Sequence, residues 1–445
     1  MKLTKMSLVA ALLIGSSAFA LDNVKMSGDA NLVYETMDGA SGYDAIAGKD
    51  GELFSKDSSA ADIAVNLNVT ADVLKNDLVS ISVGAGYTVL TTLGLENNFV
   101  SNVWGGAHTA TTPTGGQYGS ALGGAQVNTA SWFNEAWVAA TSGKTTAKLG
   151  RMVLDTPLAF TETWTIEQNT FDAAVLINQD IPDTTLVGAY IGNGNGTEAF
   201  GDNGAAQSNV TTHGLAAAGV VNANGDFSTY GTNGAYAAGI INNSWKPLAV
   251  QAWYYDVVKL AQAYWLQADL DASTLGVDGL IAGAQYSGVT AAGNGAKEDN
   301  VYALMLGYGM KDMFTAKVAY SQTNKDGTLG AAGFNTATAT GTAQSKLYTE
   351  AWWNYGYVTA ADTQAYNVTL EAPVEDVADF GFYFTYADQA KATGSNDVTE
   401  YTVTASRSFG ALDATVALIN YQTGKVAGVQ PDAVNLVQVY ATLNF

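Results

Sequence analysis

Apolar and polar residues alternate along many short stretches of the chain. The last nine residues are one example, since Val437, Val439, Ala441, Leu443 and Phe445 alternate with Gln438, Tyr440, Thr442 and Asn444. The same period of two recurs in residues 63–70, 314–321, 366–372 and 401–406. Because successive side chains of a strand point to opposite faces, this pattern predicts strands with one apolar and one wetter face. Taken alone, the last stretch also fits an edge strand of a soluble sandwich.

The connections between these stretches alternate in length. Short turns are predicted at residues 74–77, 142–144, 180–183, 244–247, 310–313 and 373–378. Long, polar and mostly glycine-rich connections are predicted at 37–59, 91–130, 153–171, 193–234, 288–298, 324–361, 389–397 and 423–432. A transmembrane barrel has short periplasmic turns and long outer loops, an arrangement that a sandwich does not require.

This alternation predicts an all-β fold, a transmembrane antiparallel β-barrel of about eighteen strands. The strands are expected at 24–36, 60–72, 78–90, 131–141, 144–152, 172–179, 184–192, 235–243, 248–256, 260–270, 276–287, 299–309, 314–323, 362–372, 379–388, 398–408, 411–422 and 433–445. The segment Leu347–Val358 is an alternative strand, but a nineteenth strand would break the even parity, so we assign it to a long loop. The count is therefore sixteen to eighteen.

The N-terminus predicts export from the cytoplasm. Lys2 and Lys5 precede the apolar run Met6–Ile14, and the small-residue triplet Ala18-Phe19-Ala20 follows. This order is typical of a secretory signal peptide cleaved after residue 20. The apolar run is too short to cross about 30 Å of hydrocarbon, and no later run reaches the roughly 18 apolar residues of a spanning helix. We therefore expect a single barrel domain over residues 21–445.

Composition is consistent with a barrel. Only 13% of residues are charged, against about 25% in an average soluble domain, as expected when half of each strand faces lipid. There is no cysteine, so disulfides do not contribute. The net charge is −22, and removal of two lysines with the signal peptide makes it 17 − 41 = −24. Such acidity disfavours nucleic acid as a partner and suits a lumen that concentrates cations.

The connection at 153–171 differs from the other long connections. It is less glycine-rich and contains Pro157, Trp164, Ile166 and Phe171, which are able to anchor it. A barrel of this width leaves an aqueous channel unless a loop narrows it. We therefore expect residues 153–171 to fold inward as a constriction loop.

Motifs around this loop resemble a known family. The stretches 148–152 (Lys-Leu-Gly-Arg-Met), 155–158 (Asp-Thr-Pro-Leu), 169–173 (Asn-Thr-Phe-Asp-Ala) and 188–191 (Gly-Ala-Tyr-Ile) are similar to OprD-type porins and to Campylobacter-type major outer membrane proteins. The N-terminal Met-Lys-Leu-Thr-Lys also resembles the Campylobacter-type members. The resemblance covers residues 144–192 and, less fully, the termini. It implies an eighteen-stranded barrel in which a strand ending in Gly-Arg leads into the constriction loop.

The resemblance also implies which residues form the eyelet. Those that would line or brace it are Arg151, Asp155, Glu162, Glu167 and Asp172, with Lys148 and Lys317 adding positive charge from the wall. Opposed charges create a transverse field that selects ions. The alternative is that several of them pair and pin the loop to the wall. The chain lacks the row of wall arginines found in carboxylate-taking members, which favours a general, cation-preferring pore.

Other chemistry has weaker support in the sequence. No cofactor is expected, although the acidic segments 198–202 and 269–278 offer oxygen ligands that leave calcium open as a metal. The histidines, His108 and His213, fall in predicted long loops without an evident partner, so we do not expect an enzyme.

The expected function is that of an outer membrane porin in a Gram-negative bacterium, open to ions and small hydrophilic solutes. The alternative is a surface adhesin or structural protein that uses the barrel only as an anchor. Expected partners are outer membrane lipid, lipopolysaccharide and the outer membrane assembly machinery. The terminal strand resembles the recognition signal of that machinery, with Val439, Leu443 and Phe445 as the candidate residues. Trimers are usual for general porins, whereas the OprD-like relatives vary, so a homotrimer is one candidate assembly and the sequence leaves the oligomeric state open.

Overall fold

Strands make up most of the chain in the computed structural model. It describes residues 21–38, 52–54, 59–91, 129–163, 166–196, 221, 225–337, 343–389, 397–425 and 431–445. The predicted signal peptide, Trp164, the acidic segment 198–202 and both histidines lie outside these residues. The first ten strands are β1 (Asp22–Met37), β2 (Ser59–Lys75), β3 (Ser80–Thr91), β4 (Thr129–Ser142), β5 (Thr145–Met152), β6 (Phe171–Asn178), β7 (Thr184–Gly194), β8 (Ser228–Thr229), β9 (Ala235–Asn242) and β10 (Leu248–Val257). The other nine are β11 (Ala261–Asp271), β12 (Leu280–Ala291), β13 (Asp299–Met310), β14 (Phe314–Thr323), β15 (Thr363–Val374), β16 (Ala378–Gln389), β17 (Val398–Phe409), β18 (Leu412–Thr423) and β19 (Val434–Asn444).

The long strands form one closed antiparallel barrel. Each pairs with its neighbour in sequence, and β1 pairs with β19 to complete the circle. The two-residue β8 only adds to the end of β7, where β9 continues the wall. The described residues thus form an eighteen-stranded barrel with one short extra strand, which confirms the predicted fold class. No helix among them is long and apolar enough to cross a membrane.

The last residues of the chain join the first strand. Asn444 lies opposite Asp29 in the register, and Phe445 exchanges two backbone hydrogen bonds with Gly28, at 2.8 and 2.9 Å. The sheet therefore has no free edge where its two ends meet. The final strand thus pairs directly with the first one.

The two faces of the wall differ as the alternation predicts. On β13, Leu304 and Leu306 are 54% and 53% exposed, whereas Ala303, on the opposite face of the strand, is fully buried. Because neighbouring side chains alternate, one phase of each strand faces lipid and the other faces the lumen.

Aromatic rings form a girdle on the outward phase near the long loops. Tyrosines on successive strands contact one another, with ring centroids 5.0 Å apart for Tyr190 and Tyr236 and 5.1 Å apart for Tyr320 and Tyr366. Such girdles mark a membrane interface. Trp265 does not belong to this girdle, because its side chain is on the inward phase of β11 and is fully buried.

Local structure determines where one predicted strand begins and whether the segment 347–358 is a strand or a loop. The strand predicted at 276–287 begins only at Leu280, because a 3-10 helix occupies Ala272–Leu275 and ends at Gly276, whose φ is +86°. The Asp271 side chain caps this helix by accepting from the Ser273 N–H. The segment 347–358 is not a strand, and its only regular element is the short 3-10 helix Tyr357–Thr359. Its assignment to a loop is confirmed.

Candidate pore constriction

The connection between β5 and β6 crosses the interior of the barrel. On one side, the Leu158 N–H donates to the Tyr255 hydroxyl of β10 at 3.3 Å. On the other, the Asn66 side chain of β2 donates to Glu167 Oε1 at 2.9 Å. Tyr255 and Asn66 both belong to the inward phase, and β3 to β9 lie between their strands. The described residues of this loop, 153–163 and 166–170, form the first inward loop, which therefore spans the lumen.

A second connection also folds into the lumen. Residues 343–362, the second inward loop, precede β15 and contact inward-facing side chains of several strands. The Tyr348 N–H donates to Gln285 of β12 at 3.0 Å, and the Asn354 N–H donates to Glu400 of β17 at 2.7 Å. Trp353 is only 5% exposed. This segment was predicted to be part of a long outer loop, whereas in the structure its residues lie against the inner wall.

The two inward loops are joined to each other. Asn335, fully buried just before the second inward loop, donates its backbone N–H to the Gln344 carbonyl of that loop at 2.7 Å. Its side chain accepts from the Phe160 N–H at 3.2 Å and donates to the Phe160 carbonyl at 2.9 Å and to Glu162 at 2.8 Å. An ion pair between Lys346 and Asp155 adds a second link. The loops thus form one body that is bonded to opposite parts of the wall.

A buried carboxylate organises the second inward loop. Glu350 accepts from the Ser345 N–H at 2.8 Å and hydroxyl at 2.6 Å, and from the N–H groups of Ala351 at 3.0 Å and Gly356 at 3.2 Å. Burial raises the pKa of Glu350 to about 7, although these hydrogen bonds oppose the shift. The loop is therefore folded around its own acidic side chain.

An open recess remains between the first inward loop and the wall residues of β1, β2, β4 and β19. Its volume is about 260 Å³. The polar lining consists mainly of the carboxylates of Asp29, Glu135 and Glu167 and the amides of Asn31, Asn66, Asn68, Asn134 and Gln168. No lysine or arginine is present among the described residues that line it. The recess is therefore acidic and rich in hydrogen-bonding groups.

Asn66 holds two of these carboxylates in place. Its amide nitrogen donates to Asp29 and to Glu167, each at 2.9 Å, while its oxygen accepts from the Thr88 hydroxyl at 2.6 Å. Burial raises the pKa of Glu167 to about 8, and the nearby Asp29 charge adds to the shift. The wall and the first inward loop therefore share one fixed polar network.

Most of the charged residues predicted for the eyelet lie inside the barrel. Glu162 and Glu167 are buried in the first inward loop, and Asp155 contacts Lys346. Lys148 faces inward with its ammonium 4.1 Å from the centre of the Trp137 ring. Lys317 follows the inward phase of β14, because the next residue, Val318, is 53% exposed on the outside.

Arg151 and Asp172 are not brought to the lumen. They form an ion pair at 2.8 Å between β5 and β6, in phase with the outward-facing Leu149 and Leu176, which are 53% and 51% exposed. The guanidinium also lies 3.4 Å from the centre of the Phe227 ring. The pair joins two strands at the point where the first inward loop leaves the wall. Its placement differs from the predicted lining role and agrees with the alternative of paired bracing residues.

The sequence analysis did not single out several of the residues that define the interior. Asn335 and Glu400 bond the loops, and Asp29, Asn66 and Glu135 line the recess. Strand phase was the available signal for the wall residues, because Asn66 alternates with the lipid-facing Leu67. No motif in the sequence identifies Asn335, because its side-chain partners, residues 160 and 162, are far from it along the chain.

No metal site emerges from the described part of the chain. Within it, no three histidine, cysteine, aspartate or glutamate side chains are grouped to hold a metal ion. The described acidic segment 269–278 uses Asp271 as a helix cap instead.

Comparison with known proteins shows similarity at the level of fold. No protein-family model matches the chain, and no curated protein is detectably similar in sequence. Among solved structures, Pseudomonas aeruginosa OccK8 (OprE) is 12% identical with a TM-score of 0.68, covering 95% of this chain and 98% of that one. Pseudomonas aeruginosa OpdK, solved with vanillate, is 10% identical with a TM-score of 0.69, covering 96% and 100%. Acinetobacter baumannii OccAB1 is 13% identical with a TM-score of 0.69, covering 96% and 98%. The chain has the fold of these OprD-like barrels over nearly its whole length.

Proposed function

We propose that this protein is an outer membrane porin through which ions and small hydrophilic solutes diffuse. The observation that carries the proposal is a closed barrel with a polar lumen, narrowed by two loops that are hydrogen-bonded to the wall. A lipid-facing belt and an aromatic girdle support a membrane location. Its likeness in fold to barrels from Gram-negative bacteria supports the outer membrane.

The finer proposal is that the pore prefers cations and that the recess beside the first inward loop is its narrow part. Asp29, Glu135 and Glu167 project into this recess without a basic residue in its described lining. Fixed carboxylates at a constriction attract cations and repel anions over short distances. The overall negative charge acts in the same direction.

A planar bilayer experiment tests the pore. Purified protein should give discrete, ohmic conductance steps, whereas a correctly folded but silent barrel would favour the adhesin or anchor alternative. Folding is checked independently by faster gel mobility of the unheated protein.

A substitution series tests the cation preference. In a salt gradient, Asp29→Asn combined with Glu135→Gln should shift the reversal potential toward the anion value. Asp172→Asn is the matched control, because this carboxylate follows the outward phase of β6. If the reversal potential shifts equally in the double variant and in Asp172→Asn, or does not shift in the double variant, the recess is not the selective site.

We further propose that transport is passive and needs no cofactor, and that the barrel contacts lipopolysaccharide. The resemblance to Campylobacter-type members supports recognition of the terminal strand by the assembly machinery. Calcium binding belongs with these proposals, and calorimetric titration of the purified barrel with calcium is its direct test.

A further inference from the structure

A β-bulge turns two neighbouring residues of β4 toward the recess beside the first inward loop. Gly86 of β3 lies opposite Glu135, and the next residue of β3 already lies opposite Phe133, so the residue between them is extra. Phe133 and Ala136 are both exposed on the outer face of β4, whereas Asn134 and Glu135 both line the recess. Bulges re-aim side chains in this way and are common beside functional sites.

The bulged Asn134 has a hydrogen-bond acceptor that the described part of the chain does not satisfy. This residue is only 4% exposed, and its Oδ1 atom has no hydrogen-bond partner among the described residues. Buried polar atoms without a partner are costly and rare in folded proteins. Because Asn134 borders the recess, a donor carried by a solute in the recess is able to supply the missing bond.

Gly86 allows a second amide oxygen to reach the same place. A Cβ atom added to this glycine would lie 2.3 Å from Asn134 Oδ1 and 2.5 Å from Asn68 Oδ1. The two oxygens therefore converge over the Gly86 backbone, and both asparagines line the recess. Two converging acceptors repel each other unless a donor lies between them. This geometry suits a ligand that donates hydrogen bonds.

The carboxylates of the recess are held in place by neighbouring side chains. Asp29 Oδ1 accepts from Asn31 at 2.6 Å and from Asn66 at 2.9 Å. Glu135 Oε2 accepts from the Trp137 ring nitrogen at 2.9 Å. Among the described residues, these bonds use only one oxygen of each carboxylate and leave the other to a ligand. Acceptors that are fixed in advance lower the entropic cost of binding.

We propose, on the basis of the porin function proposed above, that the recess is a binding subsite for neutral polyhydroxylated solutes of about the size of a monosaccharide. A hydroxyl group both donates and accepts, and so does the side-chain amide of asparagine or glutamine. Hydroxyl donors also form strong hydrogen bonds with carboxylates. The volume of about 260 Å³ is just below the about 300–1,000 Å³ of pockets for drug-sized ligands, so it suits a smaller solute. Val33, Ile166 and Tyr440 add apolar surface for the carbon skeleton.

Solutes with a formal charge match the lining less well. A carboxylate solute faces Asp29, Glu135 and Glu167, and no lysine or arginine is present among the described residues of the lining. A solute that carries only ammonium groups satisfies the carboxylates, but it has no acceptor for the N–H groups of the lining amides. A polyhydroxylated solute supplies both donors and acceptors.

Titration of single channels with glucose tests the subsite. In a planar bilayer, glucose should interrupt the current through the parent protein in a saturable way. Glucuronate, which adds a carboxylate to the same ring, and putrescine, a diamine without hydroxyl groups, should interrupt it far less at equal concentration. Asn134→Leu removes the amide but keeps a similar shape, so the half-saturating glucose concentration should rise about tenfold. Thr369→Val, on the inner face of β15 and outside the recess lining, is the control and should bind glucose as the parent does.

Asn68→Leu is a second, independent variant and should weaken glucose binding in the same way. Heat-modifiable gel mobility establishes which variants are folded. Parent channels that conduct but show no saturable response to glucose would overturn the subsite and leave the pore intact. A half-saturating concentration that is unchanged in the folded variants would also overturn it, as would stronger interruption by glucuronate or putrescine than by glucose. A folded parent without conductance steps would instead refute the pore itself, so the two failures are distinguishable.

Discussion

Asn354 donates two hydrogen bonds to a single oxygen of Glu400, one from its backbone N–H and one from its side-chain amide, each 2.7 Å long. The Trp353 N–H donates to the other oxygen of the same carboxylate at 3.0 Å. Glu400 is only 1% exposed on the inner face of β17. This carboxylate is therefore the main polar contact between β17 and the second inward loop.

Glu400→Gln should release the second inward loop from the wall. The substitution removes the negative charge and replaces one acceptor oxygen with a donor that faces the loop N–H groups. Hydrogen bonds to a charged group contribute roughly 1.5–3 kcal/mol each, so docking of the loop should weaken substantially. Single-channel conductance is expected to increase and to become noisier. Asp413→Asn, distant from this loop on β18, should behave as the parent protein does.

Asn335→Ala should loosen the two inward loops together. It removes hydrogen bonds to Phe160 and Glu162 at a fully buried position, and each buried partner left unsatisfied costs about 1–3 kcal/mol. Limited proteolysis of folded barrels should then cut within residues 153–170 or 343–362 faster than in the parent. Thr369→Ala, a small inward-phase change on β15, serves as the control. Equal cleavage of all three proteins would contradict a coupling role for Asn335.

Cation preference should increase between pH 7 and pH 9. The pKa of Glu167 is raised to about 8 by burial, so this carboxyl is mainly neutral at pH 7 and mainly charged at pH 9. Each added negative charge at the recess favours cations. Reversal potentials in a fixed salt gradient measure the change. Glu167→Gln should lose this pH dependence while Asp172→Asn keeps it, and a retained dependence in Glu167→Gln would assign it to another group.

Closure of the barrel should depend on Gly28 as well as on Phe445. A side-chain atom added at Gly28 would lie 2.5 Å from the Phe445 ring and 2.6 Å from the Asn66 carbonyl oxygen, so Gly28→Val must displace that ring and the backbone of β2. We expect both Gly28→Val and deletion of Phe445 to reduce the amount of folded barrel in the outer membrane severalfold. Conductance of the molecules that do assemble should be nearly unchanged. Normal surface levels of both variants would argue against a role for this contact in assembly.

The fold was largely predictable because strand alternation and turn length are local signals. The predicted and observed bounds agree within a few residues for most strands, and the largest shift occurs where Asp271 caps a 3-10 helix. The interior was less predictable, because its contacts join residues far apart in sequence. Asn335 and Phe160 are 175 positions apart.

The bracing position of Arg151 had a signal in the sequence itself. Lys148 and Arg151 are three residues apart on one strand, so regular alternation places them on opposite faces. Leu149, an exposed apolar residue, defines which face is outward. Strand alternation alone therefore places Arg151 on the outward face, away from the lumen. The second inward loop had a compositional signal, because its aromatic stretch 352–355 resembles buried sequence more than an exposed loop.

The two inward loops make the interior of the barrel asymmetric. Their hydrogen bonds engage the wall at β2, β10, β12 and β17, and the open recess borders only β1, β2, β4 and β19. Under the proposed function, the narrow part of the pore lies beside the first strands of the barrel rather than at its centre. The effect of mutations should therefore differ around the circumference. Mutations near β2 should alter which solutes pass, whereas mutations near β12 should alter how stably the second inward loop is docked on the wall.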